Sequence, residues 1–242
     1  MNDRLTILNR KGGLCRFACA VFCVVSLAGP AAKASDISEF WGKVTAKGAF
    51  SDAEERGALL YRFSVEYRAG LDGFSARRVQ LQPALGMRLS ENSTVWAGYT
   101  RIHTDLADNV SISEDRYWQQ WSWRMPWCEV LTCALRARLE QRSIEGLPDR
   151  LHRFRLRTEF SRRFDWSGNV RWLLSLEPFV NLTPTRTPTS TAIRQSRVFL
   201  GFELDLTEWG ELQAGYMKRS SWGDSALQQS THIAVLSFTA SY

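Results

Sequence analysis

Between Leu59 and Ala69 the odd positions are Leu, Tyr, Phe, Val, Tyr and Ala, while the even ones are Leu, Arg, Ser, Glu and Arg. A two-residue period places those sets on opposite faces of a strand, one apolar and one charged. The same alternation recurs along the chain. Val79, Leu81, Leu85, Met87 and Leu89 oppose Arg78, Gln80, Gln82 and Arg88, and Tyr117, Trp121, Trp123 and Met125 oppose Arg116, Gln120, Ser122 and Arg124. Leu131 to Leu139 oppose Arg136, Arg138 and Glu140; Phe154, Leu156 and Phe160 oppose Arg153, Arg155, Arg157 and Glu159; Val198 to Leu204 oppose Arg197, Glu203 and Asp205. As helices these runs would spread their charges around the whole circumference, so strands are the assignment. Weaker members are Phe40–Ala49, Thr94–His103, Val170–Val180 and Glu211–Arg219, and the run His232–Tyr242 ends on an aromatic residue. In Thr94–His103 both phases are partly apolar, so the face carrying Trp96 is open.

Connections alternate between short turns (Ser90–Ser93, Pro126–Leu131, Asp165–Asn169, Leu206–Gly210) and longer polar loops (Thr104–Glu114, Ser143–Asp149, Leu182–Ala192, Ser220–Gln228). Short turns at one end and long loops at the other are the asymmetry of an outer-membrane barrel, with Trp127, Trp166, Trp209 and Tyr242 forming an aromatic girdle at the short-turn end. The fold class expected is all-β, an antiparallel transmembrane β-barrel. Eleven segments are legible, and the even strand number usual in single-chain bacterial barrels argues for ten or twelve. Twelve is favoured, because Ser35–Ala49 and Phe50–Arg62 have room to hide a further crossing.

Residues 1–34 read as a cleavable signal peptide: Arg4, Arg10 and Lys11 precede an apolar core from Phe17 to Leu27, and Ala32-Lys33-Ala34 supplies a small-x-small site before Ser35. Residues 35–242 are then the barrel. The formal charge of +6 includes Arg4, Arg10, Lys11, Arg16 and Lys33 against Asp3, so removing the leader brings the charge near +2. What remains is interleaved with acids, which removes nucleic acid as a partner. Cys15, Cys19 and Cys23 fall in the leader, leaving Cys128 and Cys133. In an exported chain two such thiols point to a disulfide pinning the register of a hairpin, and there is no histidine nearby to complete a metal site with them. The span between the leader and the C-terminus has no apolar stretch long enough for a helical crossing.

Glu39-Phe-Trp41, Tyr61-Arg-Phe-Ser-Val-Glu-Tyr, Leu85-Gly-Met-Arg-Leu-Ser, Trp96-Ala-Gly-Tyr, Tyr117-Trp-Gln-Gln, Arg153-Phe-Arg-Leu-Arg, Leu176-Glu-Pro-Phe and Gly215-Tyr216 follow one another in this order. Across nearly the whole of residues 35–242 the chain thereby resembles the uncharacterised outer-membrane barrels grouped as domain of unknown function 2490. The resemblance implies a Gram-negative outer-membrane barrel and brings no activity with it. The Cys128/Cys133 pair and the Thr-Pro-rich loop Leu182–Ser190 depart from the pattern.

Arginine is the chemical signature of the interior phase. Lys43, Lys47 and Lys218 are the only lysines after the leader, whereas Arg62, Arg68, Arg78, Arg88, Arg116, Arg124, Arg136, Arg138, Arg153, Arg155, Arg157, Arg171 and Arg197 share the inward phase with Glu66, Glu140, Glu159, Glu177, Glu203 and Asp205. The planar, permanently charged guanidinium matches carboxylate and phosphate, so rings of arginine in a lumen favour small anionic solutes. Arg62, Arg78, Arg116, Arg136, Arg138, Arg153, Arg155, Arg157 and Arg197 are the candidate anion contacts. The competing reading is a closed barrel whose lumen is filled by Arg–Glu ladders. Three cations on one face, Arg153, Arg155 and Arg157, repel unless anions stand opposite, and barrel acids could supply them. A third reading, a lipid acyl hydrolase, rests on Ser230 and His232, two apart on one face near the loop-side rim, without an evident orienting acid. No cofactor is expected. The expected partners are outer-membrane lipid, the barrel-assembly machinery reading the strand that ends at Tyr242, and a small anionic solute.

Overall fold

A computed structural model describes residues 37–50, 52, 55–71, 76–106, 110–128, 130–183, 193–222 and 228–242. The signal-peptide assignment and most of the Leu182–Ser190 loop lie outside these residues. Eleven strands follow in chain order: β1 (Ile37–Ala49), β2 (Leu59–Gly70), β3 (Arg77–Ser90), β4 (Ser93–Asp105), β5 (Ser111–Met125), β6 (Thr132–Ile144), β7 (Leu151–Arg163), β8 (Val170–Asn181), β9 (Ile193–Thr207), β10 (Gly210–Trp222) and β11 (Gln228–Ser241). Each pairs with its sequence neighbours, and β1 closes on β11.

The favoured count of twelve is corrected to eleven. Every hairpin pair is antiparallel, so an odd number cannot close without one parallel contact, and that seam is β1–β11, in register from Ile37↔Thr231 to Lys47↔Ser241. The connection between β1 and β2, where a hidden crossing was expected, is residues 50–58. A tilted membrane strand takes about 9–11 residues before its turns are counted, so nothing more fits there. One consequence is geometric: Ile37 starts β1 at the long-loop end, opposite Tyr242, whose amide donates to the Lys47 carbonyl at the short-turn end.

The alternation dictates the wall. Outward positions are large, apolar and exposed, among them Val44 (57%), Leu85 (63%), Leu200 (58%) and Phe202 (56%). Trp127, Trp166, Trp209 and Tyr242 are exposed around the short-turn end, and Trp209 stacks on Tyr242 at 6.5 Å between centroids. Cys128 and Cys133 form a disulfide in the β5–β6 turn, with Cα atoms 6.0 Å apart, beside the Met125↔Cys133 pair where β6 begins.

Strands also run further than their apolar patterning. The loop expected at Thr104–Glu114 shrinks to residues 106–110, because β4 continues to Asp105 and β5 starts at Ser111. Ladder hydrogen bonds do not require apolar side chains, so a wall continues into polar sequence beyond its apolar band.

Inside, aromatic rings are let into the sheet by glycine. Trp118 lies across Gly98, where an added Cβ would come within 2.2 Å of its ring, and Trp96 lies across Gly86. Trp96 therefore faces the lumen. Its phase was illegible because Tyr99 and Ala97 on the other face are no more polar than it is.

Candidate functional site: the arginine-lined lumen

All nine candidate arginines carry their side chains on the inward face, and each strand's register decides what they meet. Glu140 on β6 and Glu177 on β8 are the hubs of the middle of the lumen. Arg153 donates to Glu140 at 2.5 Å and Arg155 donates to it at 2.7 Å. Arg155 also reaches Glu177 at 2.8 Å, as does Arg136 at 2.9 Å, and Arg197 lies 3.7 Å from its second oxygen. Arg138 donates to Gln120 Oε1 at 2.9 Å and lies 4.0 Å from Glu140. Arg157 has its own acid, Glu159, at 2.5 Å. The repulsion built into Arg153-x-Arg155-x-Arg157 is thus relieved by carboxylates on β6, β7 and β8.

Towards the long-loop end, Arg116 forks onto both oxygens of Glu114 at 2.6 and 2.9 Å, and Arg142 shares that carboxylate at 2.5 Å. Arg78 donates to Thr104 Oγ1 at 3.0 Å. Arg219 bridges Glu39 at 2.6 Å, and Arg68 pairs with Glu66, which also accepts from Gln80 at 3.2 Å. Glu39 and Glu114 are lumen acids that the sequence reading left out. Glu114 ends the polar run Thr104–Glu114 that reads as a loop, and Glu39 precedes the apolar run of β1.

Aromatic faces complete the packing. Trp41 carries the Arg68 guanidinium at 3.7 Å and that of Arg197 at 4.8 Å. Phe179 is flanked by Arg155 and Arg197 at 4.7 and 4.5 Å, and Trp118 by Arg138 at 3.9 Å. Arginine over an aromatic face gains cation–π attraction, most where water is excluded.

Three side chains at this level are shielded from water. Trp118, Phe179 and Glu140 are each 1% exposed although all three point into the lumen. An open channel would leave such inward side chains wetted. The middle retains a cavity of about 150 Å³ bordered by Trp41, Glu66, Arg138, Glu140 and Arg197.

The short-turn half differs. A cavity of about 390 Å³ is bordered there by Arg62, Arg88, Arg124, Arg136 and Arg157, with Glu91 and Glu159 as its carboxylates. A separate group, Glu203, Asp205 and Glu211, has ligand-capable oxygens within 4.8 Å of one another. Each already faces a cation: Glu203 meets Arg171 at 3.2 Å, Asp205 meets Arg163 at 2.6 Å, and Glu211 meets Lys47 at 3.7 Å.

Ser230 and His232 fall on the outward face of β11 near the long-loop end, with Ser230 only 5% exposed. The His232 Nδ1 shares a hydrogen bond with the Tyr216 hydroxyl. A phenol thus holds the nitrogen that the orienting acid of a triad would take.

A family model described as protein of unknown function (DUF2490) matches residues 38–230. An uncharacterized protein of Methylorubrum extorquens is 26% identical over 234 residues, covering 94% of this chain and 98% of the relative. Among solved structures, a NanC porin structure superposes with a TM-score of 0.44 at 10% identity, covering 74% of this chain and 86% of that one.

Proposed function

The chain belongs to the DUF2490 family of proteins of unknown function, and from that premise we propose that it is an outer-membrane barrel, exported by way of residues 1–34, whose lumen is closed at mid-wall by an arginine–carboxylate–aromatic plug. The apolar outward belt and the aromatic girdle at the short-turn end support placement in a bilayer. Outer-membrane lipid is then the partner of the wall, and the assembly machinery reads β11 and its aromatic end at Tyr242. The role is architectural or sequestering rather than conductive, and no catalytic step is assigned.

One observation carries the closed reading: inward-facing Glu140, Trp118 and Phe179 are almost wholly inaccessible to water. Ion flow needs a continuous wetted path, and arginines spent on Glu140 and Glu177 are not free to draw anions through.

Planar-bilayer recording on purified protein, its folding verified by heat-modifiable gel migration, tests this. Wild type should be silent, and Trp41→Ala/Phe199→Ala, which widens the central cavity, should give discrete steps. Reproducible anion-selective steps from wild type would overturn the closed lumen in favour of a passive pore for small anions.

A further inference from the structure

We infer that the arginine-lined cavity in the short-turn half is a binding site for a small, water-soluble polyoxyanion of the phosphate class. The inference goes beyond the closed-lumen reading and does not depend on it, because a cup can bind whether or not the barrel conducts.

The cup's donors outnumber its acceptors. Arg62, on β2, has no carboxylate partner among the described residues; its guanidinium lies 4.7 Å from the Trp96 ring centre and 5.4 Å from that of Trp118. Arg124, on β5, likewise has no side-chain acceptor among them. Arg88 spends one nitrogen on the Glu91 carbonyl at 3.3 Å, and its Nε is buried without an acceptor. The Nε of Arg157 is in the same state, although its Nη2 is held by Glu159. Arg136 reaches past the cup to Glu177. With Arg136 committed to Glu177, four guanidinium groups face two carboxylates, and one of the two, Glu91, makes no ion pair with them.

Guanidinium does not shed its proton at any ordinary pH, so this surplus cannot be relieved by titration. Buried donors without acceptors are costly, and the ordinary remedy is an anion that offers several oxygens at once. The arginines come from β2, β3, β5, β6 and β7, so they approach one space from several directions. A planar carboxylate engages one or two forks, whereas a tetrahedral phosphate offers acceptors on every side. The volume, about 390 Å³, is of the size used for small ligands, about 300–1,000 Å³. Because these side chains face the lumen, the occupant is a dissolved anion and not a lipid headgroup.

The shelf under Arg62 is itself built. Trp96 and Trp118 lie over Gly86 and Gly98, which fixes the aromatic surface beside which the Arg62 guanidinium sits, and its N–H groups have no hydrogen-bond acceptor among the described residues. An arginine stacked in this way loses less freedom on binding than an unsupported one.

Isothermal titration of the full barrel in an uncharged detergent at low salt, with inorganic pyrophosphate as the probe, tests the site. Wild type should bind saturably at one site, with no heat from trehalose. Arg62→Gln/Arg124→Gln should weaken binding about tenfold or more, since two charge-assisted contacts are lost. Arg62→Lys/Arg124→Lys keeps the charge but not the fork and should fall between the two; it serves as the test if the glutamine pair does not fold. Arg101→Gln, on the outer wall, should leave affinity unchanged. No saturable heat from wild type, or unchanged affinity in both folded double variants, would overturn the proposal. A protein that conducts in bilayers yet binds pyrophosphate would overturn only the closed lumen, and one that is silent yet does not bind would overturn only the site.

Discussion

The middle of the lumen and its short-turn half are lined by the same residue type and behave as opposites. At mid-height, Arg136, Arg153, Arg155 and Arg197 converge on two carboxylates, Glu140 and Glu177, that are 1% and 7% exposed. In the cup, Arg157 answers a single carboxylate, Glu159, that is 31% exposed, while Arg62 and Arg124 answer none among the described residues. Arginine abundance is therefore a poor guide to what a barrel interior does. The local supply of acceptors, fixed by register across neighbouring strands, separates a cross-linked plug from a receptive cup. Removing one partner of a buried ion pair costs far more than disturbing an exposed one, so the two regions should also differ in what a single substitution does.

Short turns of an outer-membrane barrel face the periplasm, and the comparison breaks most decisively if the cup, at the short-turn end, does not. With eleven strands, Ser38 sits at the same end as the long loops, and Asn92, on the cup's rim, at the other. Cells expressing Ser38→Cys, Pro148→Cys or Asn92→Cys, treated with a membrane-impermeant maleimide, should show labelling of the first two and none of the third. The native Cys128 and Cys133 are tied up in their disulfide. Labelling at Pro148 without labelling at Ser38 would return the count to an even number and abolish the parallel seam.

The next effect is energetic. Glu140→Gln or Glu177→Gln leaves several guanidinium groups buried without their counter-charge and should destabilise the barrel by about 3–5 kcal/mol. Glu159→Gln in the cup should cost about 1 kcal/mol or less. Urea unfolding in detergent, followed by tryptophan fluorescence, reads both. Equal losses at Glu140 and Glu159 would mean that the two halves are wetted alike.

How much of this was legible in the chain follows from what each step requires. Which residues of Leu59–Ala69 or Arg153–Arg163 face inward needs only the alternation within one strand, and it was readable. Which acid meets which arginine needs register, shear and closure, properties of the whole wall. Glu140 and Glu177 were visible as inward residues, but nothing in β6 or β8 alone says that Arg155, on the strand between, touches both. Parity failed for a related reason. The preference for even numbers is a regularity of such barrels and not a law of pairing, and β1–β11 pairs in parallel through the same backbone donors and acceptors. Trp96 was ambiguous until the bare backbone of Gly86 showed where its ring goes.

The smallest expected effect, at the cup's rim, separates the two regions most finely. Cys128 and Cys133 close a loop of sequence separation 5 between β5 and β6, the strands that carry Arg124 and Arg136. Cross-linking so short a loop removes little freedom from the unfolded chain, about 2 kcal/mol at most. Cys128→Ser/Cys133→Ser should therefore lower the unfolding free energy by that amount or less, well short of the Glu140 variant. Its local effect should be larger than its global one, since the hairpin end that presents Arg124 is no longer pinned. Pyrophosphate affinity should fall several-fold while bilayer silence persists, because Glu140 lies further along β6 and Glu177 on β8, away from the turn, and both keep their partners. If conductance steps appeared in this variant instead, the middle of the lumen would depend on the rim, and the two regions would be one mechanical unit.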